Sequence, residues 1–131
     1  MKIGSQTVAL VTGASRGIGV RIVERLAARG AKLVLAARSE AALEEVRASA
    51  EAAGAEVLVV RTDVGLREDL EALVAASLDR FGRIDLLINN AGLERSVCFE
   101  QQPLDEIDQT LRVNLLAPLL LTRLVLPGML E

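Results

Sequence analysis

The sequence predicts an α/β fold in which helices cover both faces of a parallel sheet, giving an αβα sandwich of three layers. Short apolar runs alternate with longer amphipathic stretches, which is typical of repeated βαβ units. The runs are almost continuously apolar, which indicates strands buried on both faces. Hydrophobic residues make up 51% of the chain but aromatic residues only 2%, so Ala, Val, Leu and Ile must form the core.

Four of the apolar runs are expected to be strands, and they comprise residues 7–11, 32–36, 56–61 and 84–88. Three segments between them carry apolar residues at helical spacing with charges on the opposite face, and they comprise residues 18–28, 40–53 and 67–81. Each predicted helix is followed by a glycine that can end it: Gly30, Gly54 and Gly82.

A loop at residues 89–102 follows the fourth strand and leads to a last predicted helix. Pro103 stands near the start of this helix, where its missing N–H would have no helical partner in any case. The helical pattern runs from residue 104 to about residue 125. Pro127 and Gly128 are expected to end it.

Composition and charge exclude several classes of function. The net charge is −3, and 15 basic residues are scattered among 18 acidic ones, so nucleic acid is not an expected partner. No stretch of 18 uncharged apolar residues is present, and no membrane association is expected. The chain has no His, which excludes a Ser-His-Asp hydrolase, and no Tyr, which excludes a tyrosine acid or base among these residues.

Cysteine usage and chain organisation are simple. Cys98 is the only cysteine, so an internal disulfide is excluded, and without His no zinc or haem site is expected. A reducing cytoplasmic location is the simplest interpretation. No linker or low-complexity tract interrupts the pattern, so residues 1–131 are expected to form one domain.

A glycine-rich loop lies directly between the first strand and the first helix, and its sequence is Thr12-Gly13-Ala14-Ser15-Arg16-Gly17-Ile18-Gly19. The N–H groups and dipole at such a helix start favour a phosphate, so a dinucleotide is expected here, as in a Rossmann-type fold. Gly13 is expected to permit the turn, Gly17 to let the backbone approach a pyrophosphate, and Gly19 to allow close packing of the helix against the strand. Ser15 adds a hydroxyl for ribose or phosphate. A P-loop is excluded because no Gly-Lys-Ser/Thr follows.

The loop also carries a family resemblance. Its Gly-x-x-x-Gly-x-Gly spacing differs from the usual G-x-G-x-x-G, and with Thr12 it resembles the T-G-x-x-x-G-x-G signature of the short-chain dehydrogenase/reductase family. Two further motifs follow in that family's order and spacing, so the resemblance covers essentially all 131 residues. It implies a Rossmann-type sheet with strand order 3-2-1-4, truncated before strand 5.

The two further motifs follow the third and fourth strands. Asp63 and Val64 resemble the family position where an Asp carboxylate contacts the adenine amino group and the next residue lines the pocket. The alternative role for Asp63 is a helix N-cap. The segment 89–92 resembles the family's N-N-A-G, which supports the sheet and passes beside the cofactor, and its alternative is an ordinary turn. The resemblance thus adds three further cofactor-binding residues: Asn90, Ala91 and Gly92.

The end of the second strand indicates which dinucleotide is bound. An NAD-binding protein needs a carboxylate there for the ribose 2′-OH, but this strand is followed by Arg38. Arg38 and Arg16 can together contact a 2′-phosphate, which favours NADP(H) over NAD(H). Glu40 is the competing carboxylate, but it is expected in the next helix's first turn, where it favours the dipole. A solvated loop cation is the alternative role for Arg38.

The family's catalytic residues are a Tyr, a Lys, a Ser and an Asn, and only the last is identifiable here. Asn114 matches the family's helix asparagine, and Pro118 cannot donate an N–H to its carbonyl. The resemblance implies that this carbonyl holds a water of a proton relay, whereas the alternative is a plain proline kink. Ser96 and Cys98 are expected to be ordinary loop residues.

Three functions are compatible with these observations. The first is the NADP(H)-binding portion of an alcohol/carbonyl oxidoreductase, and the second is a non-catalytic dinucleotide-binding or interaction protein. A methyltransferase that uses adenosylmethionine is disfavoured by the two arginines. The apolar edge at strand four and the last helix predict a homo-oligomer or a companion chain, unless the chain is part of a longer enzyme.

Overall fold

The computed structural model describes residues 1–131 and contains one parallel sheet of four strands. The strands are β1 (Val8–Thr12), β2 (Lys32–Ala37), β3 (Val57–Arg61) and β4 (Leu86–Ile88). Their order is β3-β2-β1-β4, as the resemblance implied. The strand order reverses at β1, which has β2 on one side and β4 on the other, and ligands bind at such a point in open α/β sheets.

Helices cover both faces of the sheet, which confirms the predicted sandwich. The first three are α1 (Gly17–Ala27), α2 (Glu40–Ala52) and α3 (Arg67–Phe81), all within one residue of the predicted bounds. Gly30, Gly54 and Gly82 follow them with positive φ, as expected for residues that end helices.

Side chains of each central strand alternate between two cores, because successive residues of a strand point to opposite faces. In β1, Ala9 and Val11 pack with α1 and α2, while Val8 and Leu10 pack with α3 and the last helix. Only β1 and β2 are buried along nearly their whole length. The prediction that all four strands are fully buried is wrong for β3 and β4, since these strands lie at the edges of the sheet and are half-buried.

The last helix is longer and less regular than predicted. After a 3₁₀ turn (Phe99–Gln101), it comprises α4 (Leu104–Leu111), a π-helical turn (Arg112–Leu116) and α5 (Ala117–Leu130). The expectation that Pro127 ends the helix is wrong, because Pro127 lies inside α5. Its fixed φ suits a helix, and the surrounding residues are exposed, so solvent can satisfy the carbonyl group that lacks an N–H partner.

By length and composition alone, the helix Leu104–Leu130 could cross a membrane. In this fold it packs on the sheet instead, because Ala117, Leu121 and Val125 are buried in the same core as residues of α3. Its other side is apolar and exposed: Leu115 is 57% exposed and Leu119 60%.

Candidate dinucleotide-binding site

A cavity of about 660 Å³ opens at the carboxyl ends of the strands, which is the position expected for a ligand in this topology. The loops after all four strands contribute to it. Eleven of the residues predicted to bind a cofactor line it: Gly13, Ser15, Arg16, Gly17, Ile18, Arg38, Asp63, Val64, Asn90, Ala91 and Gly92. Gly19 and Asn114 are absent from the lining.

The glycine loop is shaped by three glycines with different roles. Gly13 and Gly17 have φ of +62° and +57°, a region that favours glycine. A Cβ on Gly17 would meet nothing within 4 Å, so this part of the backbone faces open space at the cavity. A Cβ on Gly19 would lie 2.0 Å from the Gly13 carbonyl oxygen, so Gly19 packs against the loop rather than against a strand.

Partly buried hydrogen bonds join the glycine loop and the end of β1 to the segment after β4. The Thr12 hydroxyl oxygen accepts from the backbone N–H of Asn90 (3.1 Å) and of Ala91 (3.0 Å), and Thr12 is only 2% exposed. The Asn90 side-chain amide donates to the Gly13 carbonyl (3.1 Å). Asn90 and Ala91 thus hold the cavity wall together, and segment 89–92 is more than an ordinary turn.

The first turn of α1 offers backbone donors to the cavity. The first N–H groups of a helix lack helical partners, and no side chain caps this helix. Gly17 and Ile18 line the cavity at this end, and Ile18 is 73% exposed. The donors and the positive end of the helix dipole therefore suit an anion such as a pyrophosphate.

Two arginines reach the cavity beside the end of β2. Arg16 and Arg38 both line it, both are exposed, and neither forms an ion pair. Glu40 is not part of the lining and lies in the first turn of α2, as expected. Ser39 caps α2, because its hydroxyl accepts from the Ala42 N–H (3.3 Å). This end of the cavity is therefore cationic and fits a phosphate group.

Asp63 also lines the cavity, in the turn that follows β3. Its Oδ1 accepts from the Gly65 N–H (2.9 Å), and its own backbone N–H donates to Asp69 Oδ2 (2.8 Å). Helix α3 begins after Leu66, which has no side-chain cap, so Asp63 does not act as its N-cap. The alternative structural role considered for Asp63 is thus wrong.

Asn114 lies in the π-helical turn and fastens the loop after β4. Its Oδ1 accepts from the Leu93 N–H and its Nδ2 donates to the Leu93 carbonyl, both at 2.7 Å. The helix widens here, since the Ala117 N–H donates to the Arg112 carbonyl five residues back, and Pro118 follows with no N–H. A widened turn therefore replaces the simple proline kink.

Sequence reasoning missed seven residues of the cavity lining: Ala37, Ser39, Ala42, Thr62, Leu93, Gln109 and Val113. Ser39 stands before a helical pattern, which is an N-cap signal that could have identified it. Leu93, Gln109 and Val113 carry no motif and reach the cavity through the long loop and the last helix. Ser96 and Cys98 are exposed loop residues outside the lining, as expected.

The fold, the open helix start and the surrounding loops define a dinucleotide-binding α/β protein. A model of the short chain dehydrogenase family matches residues 7–131. The chain therefore belongs to the short chain dehydrogenase family, which confirms the resemblance drawn from three motifs and is contrary to a methyltransferase.

Individual relatives agree with this assignment. The chain is 43% identical over 122 residues to the ketoacyl reductase HetN of Nostoc sp., covering 93% of this chain but 42% of HetN. A metagenomic short-chain oxidoreductase in complex with NADP superposes with a TM-score of 0.92 at 38% identity, covering 96% of this chain and 57% of that protein. A short chain dehydrogenase/reductase from Burkholderia phymatum in complex with NAD superposes with a TM-score of 0.94 at 36% identity, covering 99% and 46%. The chain thus spans about half the length of these relatives.

Proposed function

We propose that these residues are the NADP(H)-binding portion of an oxidoreductase that acts on an alcohol or carbonyl substrate. The observation that carries this proposal is the cavity itself, where the uncapped start of α1 lies beside two exposed arginines. An NADP-bound relative with the same fold supports it. Residues 1–131 then form an NAD(P)-binding unit of Rossmann type, which is catalytic only together with the family's Ser, Tyr and Lys from the same or a companion chain.

The pyrophosphate binds at the start of α1. The N–H groups of the first turn donate to its oxygens, and the open backbone at Gly17 allows close approach without a Cβ clash. Ser15 supplies a hydroxyl to ribose or phosphate from the same loop. Ile18 contributes an apolar surface at the mouth of the cavity.

The adenosine side binds through side chains. Arg16 and Arg38 form charge-assisted hydrogen bonds with the 2′-phosphate, which is the group that NADP has and NAD lacks. Neither guanidinium is engaged by a carboxylate of this chain, so both remain available for the phosphate. Asp63 accepts a hydrogen bond from the adenine amino group, and Val64 packs against the ring.

The nicotinamide side lies along the segment after β4. Asn90, Ala91 and Gly92 form the wall on which the cofactor rests, and Thr12 fixes that wall to β1. When bound, NADPH supplies a hydride to a carbonyl substrate. Asn114 contributes to catalysis through its carbonyl, which lies in the widened helix turn and holds a water for proton transfer.

Two further properties follow from the same proposal. The apolar exposed side of the last helix, with Leu115, Leu119 and Leu124, is covered by a second copy or by another polypeptide segment. The protein is cytoplasmic, in keeping with a free and exposed thiol at Cys98.

A titration with NADPH and NADH, together with the intact mass and an assay of NADPH oxidation with a panel of ketones, tests the proposal. NADPH is expected to bind more tightly than NADH and to be oxidised by at least one ketone. Tighter binding of NADH would overturn the cofactor assignment. NADPH binding without turnover would favour the second candidate, a non-catalytic dinucleotide-binding protein.

A further inference from the structure

A carboxylate at the start of α3 is hydrogen-bonded to the turn between β3 and α3. Asp63 lines the cavity, whereas Asp69 lies outside it in the first turn of α3. The backbone N–H of Asp63 donates to Asp69 Oδ2 at 2.8 Å. Asp69 therefore contacts the backbone of a cavity residue without reaching the cavity itself.

We propose that Asp69 is a positioning residue that fixes Asp63 for recognition of the adenine amino group. This inference rests on the proposed function, in which the Asp63 carboxylate accepts a hydrogen bond from that group. In this inference Asp69 does not contact the base itself and influences its recognition only through Asp63.

The two successive peptide groups that lead into Asp63 are both held by hydrogen bonds. The Thr62 N–H donates to the Ala37 carbonyl at the end of β2 (2.9 Å), and Thr62 is only 1% exposed. The next N–H, that of Asp63, is held by Asp69. These two bonds fix the direction in which the Asp63 side chain leaves the backbone.

The carboxylate of Asp63 is itself oriented by the turn. Oδ1 accepts from the Gly65 N–H at 2.9 Å, so the second oxygen, Oδ2, remains to accept from a ligand. A Cβ at residue 65 would lie 3.1 Å from Oδ1, so a larger residue would crowd this arrangement. An ionised carboxylate only accepts hydrogen bonds, and it therefore matches the 6-amino group of adenine but not the 6-keto oxygen of hypoxanthine.

The hydrogen bond that Asp69 accepts does not cap α3, the helix to which Asp69 belongs. An acidic residue at the third helical position commonly accepts from the N-cap N–H, as in a capping box. Asp69 instead reaches back six residues to Asp63, while the N-cap residue Leu66 provides no side-chain bond. The geometry of Asp69 is thus directed to the turn that carries the base-contacting carboxylate.

The test compares NADPH with its hypoxanthine analogue, in which a keto oxygen replaces the adenine amino group. Dissociation constants of both are measured by calorimetry for the protein that contains this chain and for its Asp69→Ala variant. The variant is expected to bind NADPH about tenfold more weakly, since one well-placed hydrogen bond to a charged group is worth about this factor. Its affinity for the hypoxanthine analogue is expected to change less than about twofold, because that analogue gains nothing from Asp63.

Two variants serve as controls. Asp69→Asn retains an oxygen that can accept from the Asp63 N–H, so it is expected to keep near-native discrimination between the two bases. Glu68→Ala removes a negative charge from the same first turn of α3 without touching Asp63, so it is expected to leave both affinities unchanged. Thermal unfolding of each variant reports whether the fold is intact.

The outcomes separate the inference from the proposed function. Equal weakening of both dinucleotides in Asp69→Ala, or no weakening of either, would overturn the positioning role. The same holds if Asp69→Asn loses discrimination as fully as Asp69→Ala. A wild-type protein that binds neither dinucleotide would overturn the proposed function instead, before any variant is compared.

Discussion

The two ends of the cavity are built in different ways. At the phosphate cradle, which comprises residues 12–19 and 89–92, the backbone forms much of the surface and partly buried hydrogen bonds hold it. At the proposed adenosine end, which comprises Arg16, Arg38 and Asp63, side chains form the surface and the two arginines are exposed. Arg16 belongs to both regions, since its backbone lies in the loop and its side chain is proposed to contact the 2′-phosphate.

This difference separates affinity from selectivity. A phosphate cradle made of backbone N–H groups binds any dinucleotide, because all of them carry the same pyrophosphate. In the proposed binding mode, the side chains at the adenosine end contact the 2′-phosphate and the adenine amino group, which distinguish one dinucleotide from another. Changes in the cradle should therefore affect stability and all dinucleotides together, while changes at the adenosine end should alter the choice among them.

The largest effect is expected from Gly19→Ala. The added Cβ would lie 2.0 Å from the Gly13 carbonyl oxygen, so the loop must move, at a cost of about 3 kcal/mol or more. Affinity for NADPH and for NADH should fall together by at least about 100-fold, as measured by calorimetry. Gly4→Ala is the matched control, since a Cβ there would meet nothing within 4 Å. Near-native binding by Gly19→Ala would show that the cradle is adaptable.

Thr12→Val tests the hydrogen bonds that join the two segments of the cradle, from Thr12 to Asn90 and Ala91. Valine has nearly the shape of threonine but removes the acceptor of the Ala91 N–H and one of the two acceptors of the Asn90 N–H, which also donates to the Ile88 carbonyl. Because Thr12 is buried, the free energy of unfolding should fall by about 2 kcal/mol in urea denaturation, with weaker binding of both dinucleotides. Thr12→Ser keeps the hydroxyl and should remain close to wild type. An unchanged stability of Thr12→Val would contradict the role given to these bonds.

The sequence alone predicted the parts of the site that depend on local chemistry. Gly13 and Gly17 were recognisable because a loop between a strand and a helix needs positive φ and an open backbone. The bounds of the first three helices followed from the periodicity, and the strand order from the family resemblance that the motifs carry. The edge strands are less buried than their composition suggests, because composition does not indicate which strands have neighbours on both sides.

The remaining features depend on contacts between distant parts of the chain. Asn114 meets Leu93, which is 21 residues away, and Thr12 meets Ala91, which is 79 residues away. No local pattern predicts such pairs, and the bond between Asp69 and Asp63 follows no standard capping pattern. The role of Pro127 was misjudged because an exposed helix end tolerates a missing hydrogen bond that an interior turn would not.

Arg38→Ala tests whether the adenosine end selects between NADPH and NADH. Losing a charge-assisted bond to the 2′-phosphate is expected to weaken NADPH binding by about 10- to 100-fold while leaving NADH binding within about twofold. Arg29→Ala removes the same charge from an exposed position outside the cavity and should change neither affinity. Equal losses for the two dinucleotides in a titration would refute the assignment of Arg38 to the 2′-phosphate.

The smallest effect is expected at the opposite end of β1, where Asp85 plays a purely structural part. Asp85 Oδ2 accepts from the Val8 N–H at 2.9 Å. Burial raises the pKa of Asp85, but hydrogen bonds from Arg83 and Val8 outweigh it and hold the pKa below its usual 3.8. The folded state therefore binds this proton less readily than the unfolded state, and the charged form contributes stability above pH 3.8 that is lost as the pH falls through the folded value.

Asp85→Asn should lower the free energy of unfolding at pH 7 by about 1 kcal/mol. The difference from wild type should shrink below pH 3.8, because protonation then removes the same charge from Asp85. Urea denaturation across this pH range measures the effect, and NADPH binding at pH 7 should be unchanged, since Asp85 lies outside the cavity. Weaker binding by this variant would mean that strain anywhere along β1 reaches the phosphate cradle. The separation between a backbone cradle and a side-chain adenosine end would then be too simple.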